Sequence, residues 1–416
     1  MYERPVVDAV LRLIRQGPPL LQVLVGARQV GKTTAAGQVV ERLGIPHVFA
    51  AADSPLPPGP EWIETQWARA RALAKDPASP AVLVLDEIQK VRGWSELVKR
   101  LWDEDRRRNR TLHVLLLGSS ALLLQHGLTE SLAGRFFLHR CSHWSWGECR
   151  EAFGWGLDRW VYFGGYPGTA PLVDRPDAWR QYVTDALIET VLARDVLQLQ
   201  PVAKPALLRH LFVLSTAFPA QILSYNKMLG QLQDAGNTTT LAHYLKLLET
   251  AFLVSGLELF ARGLQPKRGS SPKLVLWNQA LINALASRPF ETARLDPEWW
   301  GRLIENAVGA HLLNHLVAPE WKTMYWRRGD AEVDYVVERG RTVWGLEVKS
   351  GRPRPASGFA AFRLAYPKAH TLIIGSEGVP LEEFLASDPR PLLEGGYRIP
   401  AALPRCRARA ALRRTR

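Results

Sequence analysis

Gly26-Ala27-Arg28-Gln29-Val30-Gly31-Lys32-Thr33 is a complete GxxxxGK[ST] string, and its setting decides how the chain folds. The run Leu21–Val25 in front of it is short and apolar like a strand, and the residues behind it read as a helix. In that setting the glycines let successive backbone N–H groups turn toward phosphate oxygens, backed by the positive end of the following helix. Lys32 is placed to reach the β- and γ-phosphates and Thr33 to hold magnesium, with Gly26, Gly31 and Thr34 completing the nucleotide contacts. By average residue usage such a string arises by chance in about one chain in a hundred of this length.

Outward from this string, three more short apolar runs, residues 47–50, 81–85 and 113–117, alternate with helix-like stretches as far as about residue 140. This is the pattern of an α/β domain with a parallel sheet covered by helices, each strand buried on both faces. Ligands of such sheets bind beyond the carboxyl ends of the strands. Asp86-Glu87 closes the third run, whose neighbour in the sheet is expected to be the strand Leu21–Val25. Asp86 would then orient the magnesium shell and Glu87 polarise the attacking water. Ser119 and Ser120 end the fourth run, where a hydroxyl can touch the terminal phosphate, although serines at a strand end often cap the next helix instead. Arg135 lies a short helix further on. At that distance an arginine commonly serves a neighbouring subunit's site, the alternative being a surface ion pair.

Pro and Gly mark loops at residues 54–60 and 76–80. Residues 177–214 read as helical, broken at Pro201 and Pro205. Asn237 or Thr238 caps a stretch with Leu241, Tyr244, Leu245, Leu248 and Phe252 on one face. With the helix before it and the strand-like residues 252–260 after it, this suggests a winged helix-turn-helix, a DNA-binding module that also serves as a packing element. A basic linker, residues 265–273, leads to a second α/β region with strand-like residues 334–338 and 343–348 and helix-like residues 303–317 and 358–365. The expected boundaries are an ATPase domain at 1–155, the helical segment and winged helix at 156–265, a third domain at 266–400, and a basic tail at 401–416 with six arginines and no acid from Arg405 onward. The sequence shows no internal repeat.

The formal charge of +13, from 53 Lys+Arg against 40 Asp+Glu, favours encounters with polyanions, though Arg-, Ala- and Pro-rich composition also follows from a high-GC genome. Cys141, Cys149 and Cys406 fit neither a zinc site nor a disulfide framework. The amino-terminal residues lack a secretory pattern, and the longest apolar run, residues 112–124, is interrupted by Gly118, Ser119 and Ser120. A soluble cytoplasmic protein without a membrane partner is the expectation.

Taken together, these motifs resemble a widespread group of prokaryotic AAA-type ATPases in which a P-loop domain is fused to a carboxy-terminal region of unknown function. Gly164-Gly165-Tyr166-Pro167 is similar to that group's Gly-Gly-aromatic-Pro signature, and Ser271-Pro272-Lys273 to the Pro-Lys that opens its last domain. Residues 141–148, Cys-Ser-His-Trp-Ser-Trp-Gly-Glu, depart from the group's Pro-Leu-Ser-Phe-x-Glu. The departure is expected to affect the exit of the first domain and to touch no nucleotide-site residue. In the last domain Glu305, Asp334, Glu347 and Lys349 resemble the helix acid, strand acid and E-x-K of the PD-(D/E)XK nuclease fold, as in archaeal Holliday-junction resolvases. An E-x-K alone occurs by chance about once in a chain of this size. Two strand acids can hold a hard cation, with Lys349 steadying the attacking hydroxide, whereas an inactive descendant of the fold would keep these residues as an ion pair.

The leading expectation is an AAA+ ATPase using ATP and Mg2+ that binds and remodels or recognises DNA, including branched DNA. A homo-oligomer is expected, with a hexameric ring as its form. A nucleotide-switched regulatory ATPase with a protein partner is the second reading, and an ATP-licensed metal-dependent endonuclease the third.

Overall fold

The computed structural model describes residues 1–53, 57–74, 79–118, 128, 131–197, 202–232, 237–262, 270–286, 288–351 and 357–395. In the first region β1 (Leu21–Val25), β2 (His47–Ala51), β3 (Ala81–Asp86), β4 (Leu112–Gly118) and β5 (Phe136–Arg140) form one parallel sheet in the order β2-β3-β4-β1-β5. Alternation along each strand feeds two cores. Val82 and Val84 of β3 meet α1 (Pro5–Gln16) and α2 (Lys32–Leu43) on one face. Leu83 and Leu85 meet α3 (Pro60–Leu73) and α4 (Trp94–Arg107) on the other, as period-2 geometry requires.

Three details differ from the sequence reading. The neighbours of β1 are β4 and β5, so β4 separates it from β3. Only Val48 is buried well along β2, because β2 is an edge strand with one partner. The edge strand β5 was not read from sequence at all; its half-buried Phe-Phe-Leu-His-Arg has neither a clean apolar run nor a terminal glycine.

The second region is mostly helical, with α5 (Trp146–Phe153), α6 (Leu157–Phe163), α7 (Pro205–Ala217), α8 (Tyr225–Gln231) and α9 (Thr238–Thr250). Pro205 begins α7 instead of breaking a helix, since the first turn needs no N–H from it. Of the two candidate caps for α9, Asn237 is the one, its Oδ1 accepting from Thr240 N at 2.8 Å. Leu241, Tyr244, Leu245 and Leu248 are buried together. After α9, β6 (Val254–Leu257) pairs antiparallel with β7 (Lys273–Leu276), and Ile222 bridges to Lys273 on the other side. The stretch expected to be a basic linker therefore ends inside a strand, with Lys273 wholly buried.

In the third region α10 (Pro297–His315) precedes β8 (Trp321–Arg328), β9 (Ala331–Arg339) and β10 (Thr342–Lys349), then α11 (Ser357–Ala365) and β11 (His370–Gly375). The sheet order is β11-β10-β9-β8, antiparallel except for the β10/β11 pair. Phe359 and Phe362 of α11 cover Val333, Val336 and Val343 on one face. Leu303 and Ala307 of α10 lie in the core shared with Tyr335, Val337 and Leu346 on the other. No helix among the described residues is long and apolar enough to cross a membrane.

Candidate nucleotide site

The loop between β1 and α2 has the backbone that the string requires. A Cβ at Gly26 would sit 1.9 Å from the Cys141 carbonyl oxygen, and Gly31 takes a left-handed φ of +88° just before α2. Lys32 is buried and donates to the carbonyls of Gly26 at 3.1 Å and Ala27 at 2.7 Å. Thr33 Oγ1 donates to Asp86 Oδ2 at 2.6 Å, so threonine and acid meet across the carboxyl edge of the sheet although β4 stands between their strands. Asp86 Oδ1 accepts from the Glu87 backbone at 2.8 Å. Glu87 itself is turned by a left-handed φ of +53°, and its Oε2 accepts from Gln89 Nε2 at 2.7 Å. The adjacent carboxylates thus look in different directions, one to Thr33 and one to Gln89. Thr34 is exposed on the first turn of α2. Ser119 and Ser120 lie outside the described residues.

A paired hydroxyl and carboxylate is a suitable donor set for a hard oxygen-seeking cation, so Thr33 and Asp86 fit magnesium. Arg135 lies elsewhere. Its carbonyl accepts from Leu21 N at the amino end of β1, the end of the sheet opposite the loop. Its guanidinium grips Asp103 at 3.0 and 3.3 Å and lies 5.8 Å from the Trp102 ring centroid.

Sequence reasoning missed the support behind the loop. Val25 pairs with Arg140, so the chain leaving β5 runs beside Gly26. Trp144 Nε1 donates to the Val30 carbonyl at 3.0 Å, and Arg4 Nη1 donates to the same oxygen at 3.1 Å. Arg4 is buried and held by Glu148 at 2.7 and 3.1 Å, while Glu148 also closes the capping box of α5 with Ser145. Residues 141–148 therefore touch the phosphate loop directly, contrary to the sequence expectation. Recognising β5 as the outer neighbour of β1 was the signal that would have found this.

From there the contacts continue into the next regions. His143 Nε2 lies 3.2 Å from the carbonyl of Phe252, two residues past the end of α9, and its Nδ1 lies 3.1 Å from the Asn278 amide. Its backbone N–H donates to Asn314 of α10. Burial pushes the His143 pKa down to about 4, so the ring is neutral, with the proton on the nitrogen facing the carbonyl. Gly165 N donates to Asn278 Oδ1 at 3.1 Å, which places the Gly-Gly-aromatic-Pro segment at the same junction.

The acids and lysine of the third region are only partly brought together. Glu305 and Asp334 both face Lys273, which sequence reasoning had not placed in the set, and so does Glu332, two residues before Asp334 on the same face of β9. Glu347 pairs instead with Lys349 on its own strand.

Residues 19–149 match the AAA domain family, residues 154–292 a domain of unknown function (DUF8612), and residues 300–385 another (DUF4143). No curated protein matches the chain. Among solved structures the chain is similar to a Walker-type ATPase of Pyrococcus abyssi, at 14% identity and a TM-score of 0.49, over 68% of this chain and 96% of that one. It is also similar to the RuvB Holliday junction branch migration motor of Thermotoga maritima, at 14% identity and a TM-score of 0.32, over 64% and 91% of the two chains. The Orc1 protein of Aeropyrum pernix, solved in complex with DNA, is similar at 17% identity and a TM-score of 0.29, over 70% and 93%. The first domain is a P-loop ATPase domain of the AAA type.

Proposed function

We propose that this chain hydrolyses ATP to bind and remodel or recognise DNA, branched DNA included. The observation that carries the ATPase half is the Thr33 to Asp86 hydrogen bond beside a Gly-bounded loop whose lysine is already in place. Lys32 and the loop N–H groups would bind the phosphates, and Thr33 and Asp86 would hold magnesium, which supplies Lewis-acid polarisation of the phosphoryl oxygens. Glu87, turned away from Asp86, would orient water for in-line attack. Arg135, at the opposite end of the sheet from its own loop, is suited to a neighbouring protomer of a ring, once it leaves Asp103.

The DNA half draws support from the second region. α7, a bridge at Ile222, α8, α9 and the antiparallel β6/β7 pair follow one another in the order of a winged helix, with α9 in the recognition position. Trp144 and His143 link the phosphate loop to the end of α9 through adjacent residues, a short path for nucleotide state to reach that helix. One observation favours the second reading, a regulatory ATPase with a protein partner. Thr238, Ala242 and Lys246 of α9 face a cleft of about 1200 Å³ whose other wall includes Lys322 and Thr323 of β8, leaving that helix face less open to a duplex groove.

Turnover measured without DNA and with single strands, duplexes and four-way junctions tests the proposal. Strong stimulation by DNA is expected, and slow turnover indifferent to every DNA favours the protein-partner reading. DNA affinity should fall steeply with salt, and truncation of the tail, which lies outside the described residues, should reduce that slope.

A further inference from the structure

Pro272-Lys273 has no part in nucleotide chemistry, yet its lysine occupies a costly position. The Lys273 side chain is 0% exposed at the start of β7. Its Nζ lies 2.5 Å from Glu305 Oε1 on α10, and 3.4 and 3.9 Å from Glu332 Oε1 and Asp334 Oδ1 on β9. The Tyr335 ring centroid is 5.0 Å away. An ammonium is buried this deeply only when several acids offset its lost hydration.

A nuclease-type metal site would need Glu305, Asp334 and Glu347 to turn oxygens toward one point, each at roughly 2.0–2.6 Å from the ion. Here Glu305 and Asp334 turn to an ammonium. The other oxygen of Asp334 accepts from Val348 N at 2.7 Å, and Glu347 Oε1 is paired with Lys349. Glu347 Oε2 is buried without a hydrogen-bond partner, but one free oxygen does not make a coordination sphere. Among the described residues no group of three or more His, Cys, Asp and Glu side chains is arranged to hold a metal ion. The residues present do not fit a divalent ion.

We propose that Lys273 is the resident cation of this cluster, occupying the place a divalent ion would take and closing the third region to metal-dependent cutting. The same contacts tie β7, and with it the β6/β7 pair, to α10 and β9 of the third region. Three carboxylates against one ammonium leave a net charge of −2 when all are ionised, an excess that falls when Glu305 holds its proton. Burial, with Asp334 and Glu332 adding to it and Lys273 opposing it, pushes the Glu305 pKa up to about 7. Burial disfavours the Lys273 ammonium, yet the three acids outweigh that and hold its pKa above the ordinary lysine value.

Manganese uptake by the full-length chain without nucleotide, counted by the electron paramagnetic resonance of free Mn2+, tests the assignment. Wild type and Asp334→Asn should take up the same number of ions. Lys273→Met, which keeps the aliphatic volume but not the charge, should gain one site and a Mn2+-dependent rise in thermal midpoint, both lost in Lys273→Met/Asp334→Asn. A wild-type site that disappears in Asp334→Asn overturns the proposal, as does a folded Lys273→Met that gains none. Should Lys273→Met not fold, the wild-type and Asp334→Asn pair still decides, and Lys273→Arg should match wild type. ATP turnover on the same samples reads the nucleotide site separately.

Discussion

At the amino-terminal sheet a lysine, a threonine and two acids meet at strand ends; at the carboxy-terminal sheet a lysine and three acids meet on a strand face. The lysines differ in what receives their protons. Lys32 donates to loop carbonyls that a charged phosphate oxygen can replace, and Asp86 is shared with a hydroxyl. Lys273, itself without exposed surface, is surrounded by three carboxylates, so an entering cation would have to displace an ammonium already held by them. Residue type alone does not distinguish a site that can take a ligand from one that has been filled. The partner of the lysine does.

The largest test of this contrast lies outside either lysine. If the amino-terminal site is completed by a neighbouring protomer, Arg135→Ala should lower hydrolysis about 10³-fold or more while nucleotide affinity holds, because such an arginine acts mainly in the transition state. Mixing it with Lys32→Ala should restore part of the activity. A dead mixture would leave Arg135 as the partner of Asp103 and Trp102 and nothing more.

Within one chain, Glu87→Gln should reduce turnover by about 10²–10⁴-fold and retain ATP, since only water activation is lost. Lys32→Ala should instead lose nucleotide affinity, as measured by equilibrium binding. Wild-type turnover in Glu87→Gln would remove the residue from its assigned role and weaken the description of this site as the catalytically competent one.

A smaller effect is expected behind the loop. Trp144→Phe removes one hydrogen bond to the Val30 carbonyl, worth about 1 kcal/mol, and leaves that of Arg4. A lowered thermal midpoint with a few-fold higher KM for ATP is expected. An unchanged KM would mean that the brace supports the fold without tuning the loop.

The smallest concerns the filled site. The Glu305 pKa in the folded chain is about 7, above its ordinary 4.5. Between those values the folded state binds more protons than the unfolded, so stability falls as pH rises through that window. Glu305→Gln should flatten the fall, read as thermal midpoint against pH. Equal slopes in the two proteins would show that the cluster does not hold Glu305 in this way.

The string Gly26–Thr33, the apolar runs around it and Asp86-Glu87 were enough to read an α/β sheet with a phosphate site, because glycine conformation and strand burial are local demands written locally. A cap at Asn237 or Thr238 and the buried face of α9 were legible for the same reason, and the structure chose Asn237. What sequence could not give was order across the sheet, so β4 between β1 and β3, the edge exposure of β2 and the existence of β5 emerged only from pairing. Through β5 came the contact of Trp144 with the loop, made by residues more than a hundred positions apart. The acids of the third region were visible as residue types, but Lys273 reaches them from the preceding region across 32 to 61 positions. Whether such a cluster is open or filled depends on which distant charge the fold delivers to it, a question of three-dimensional electrostatics that no local pattern encodes.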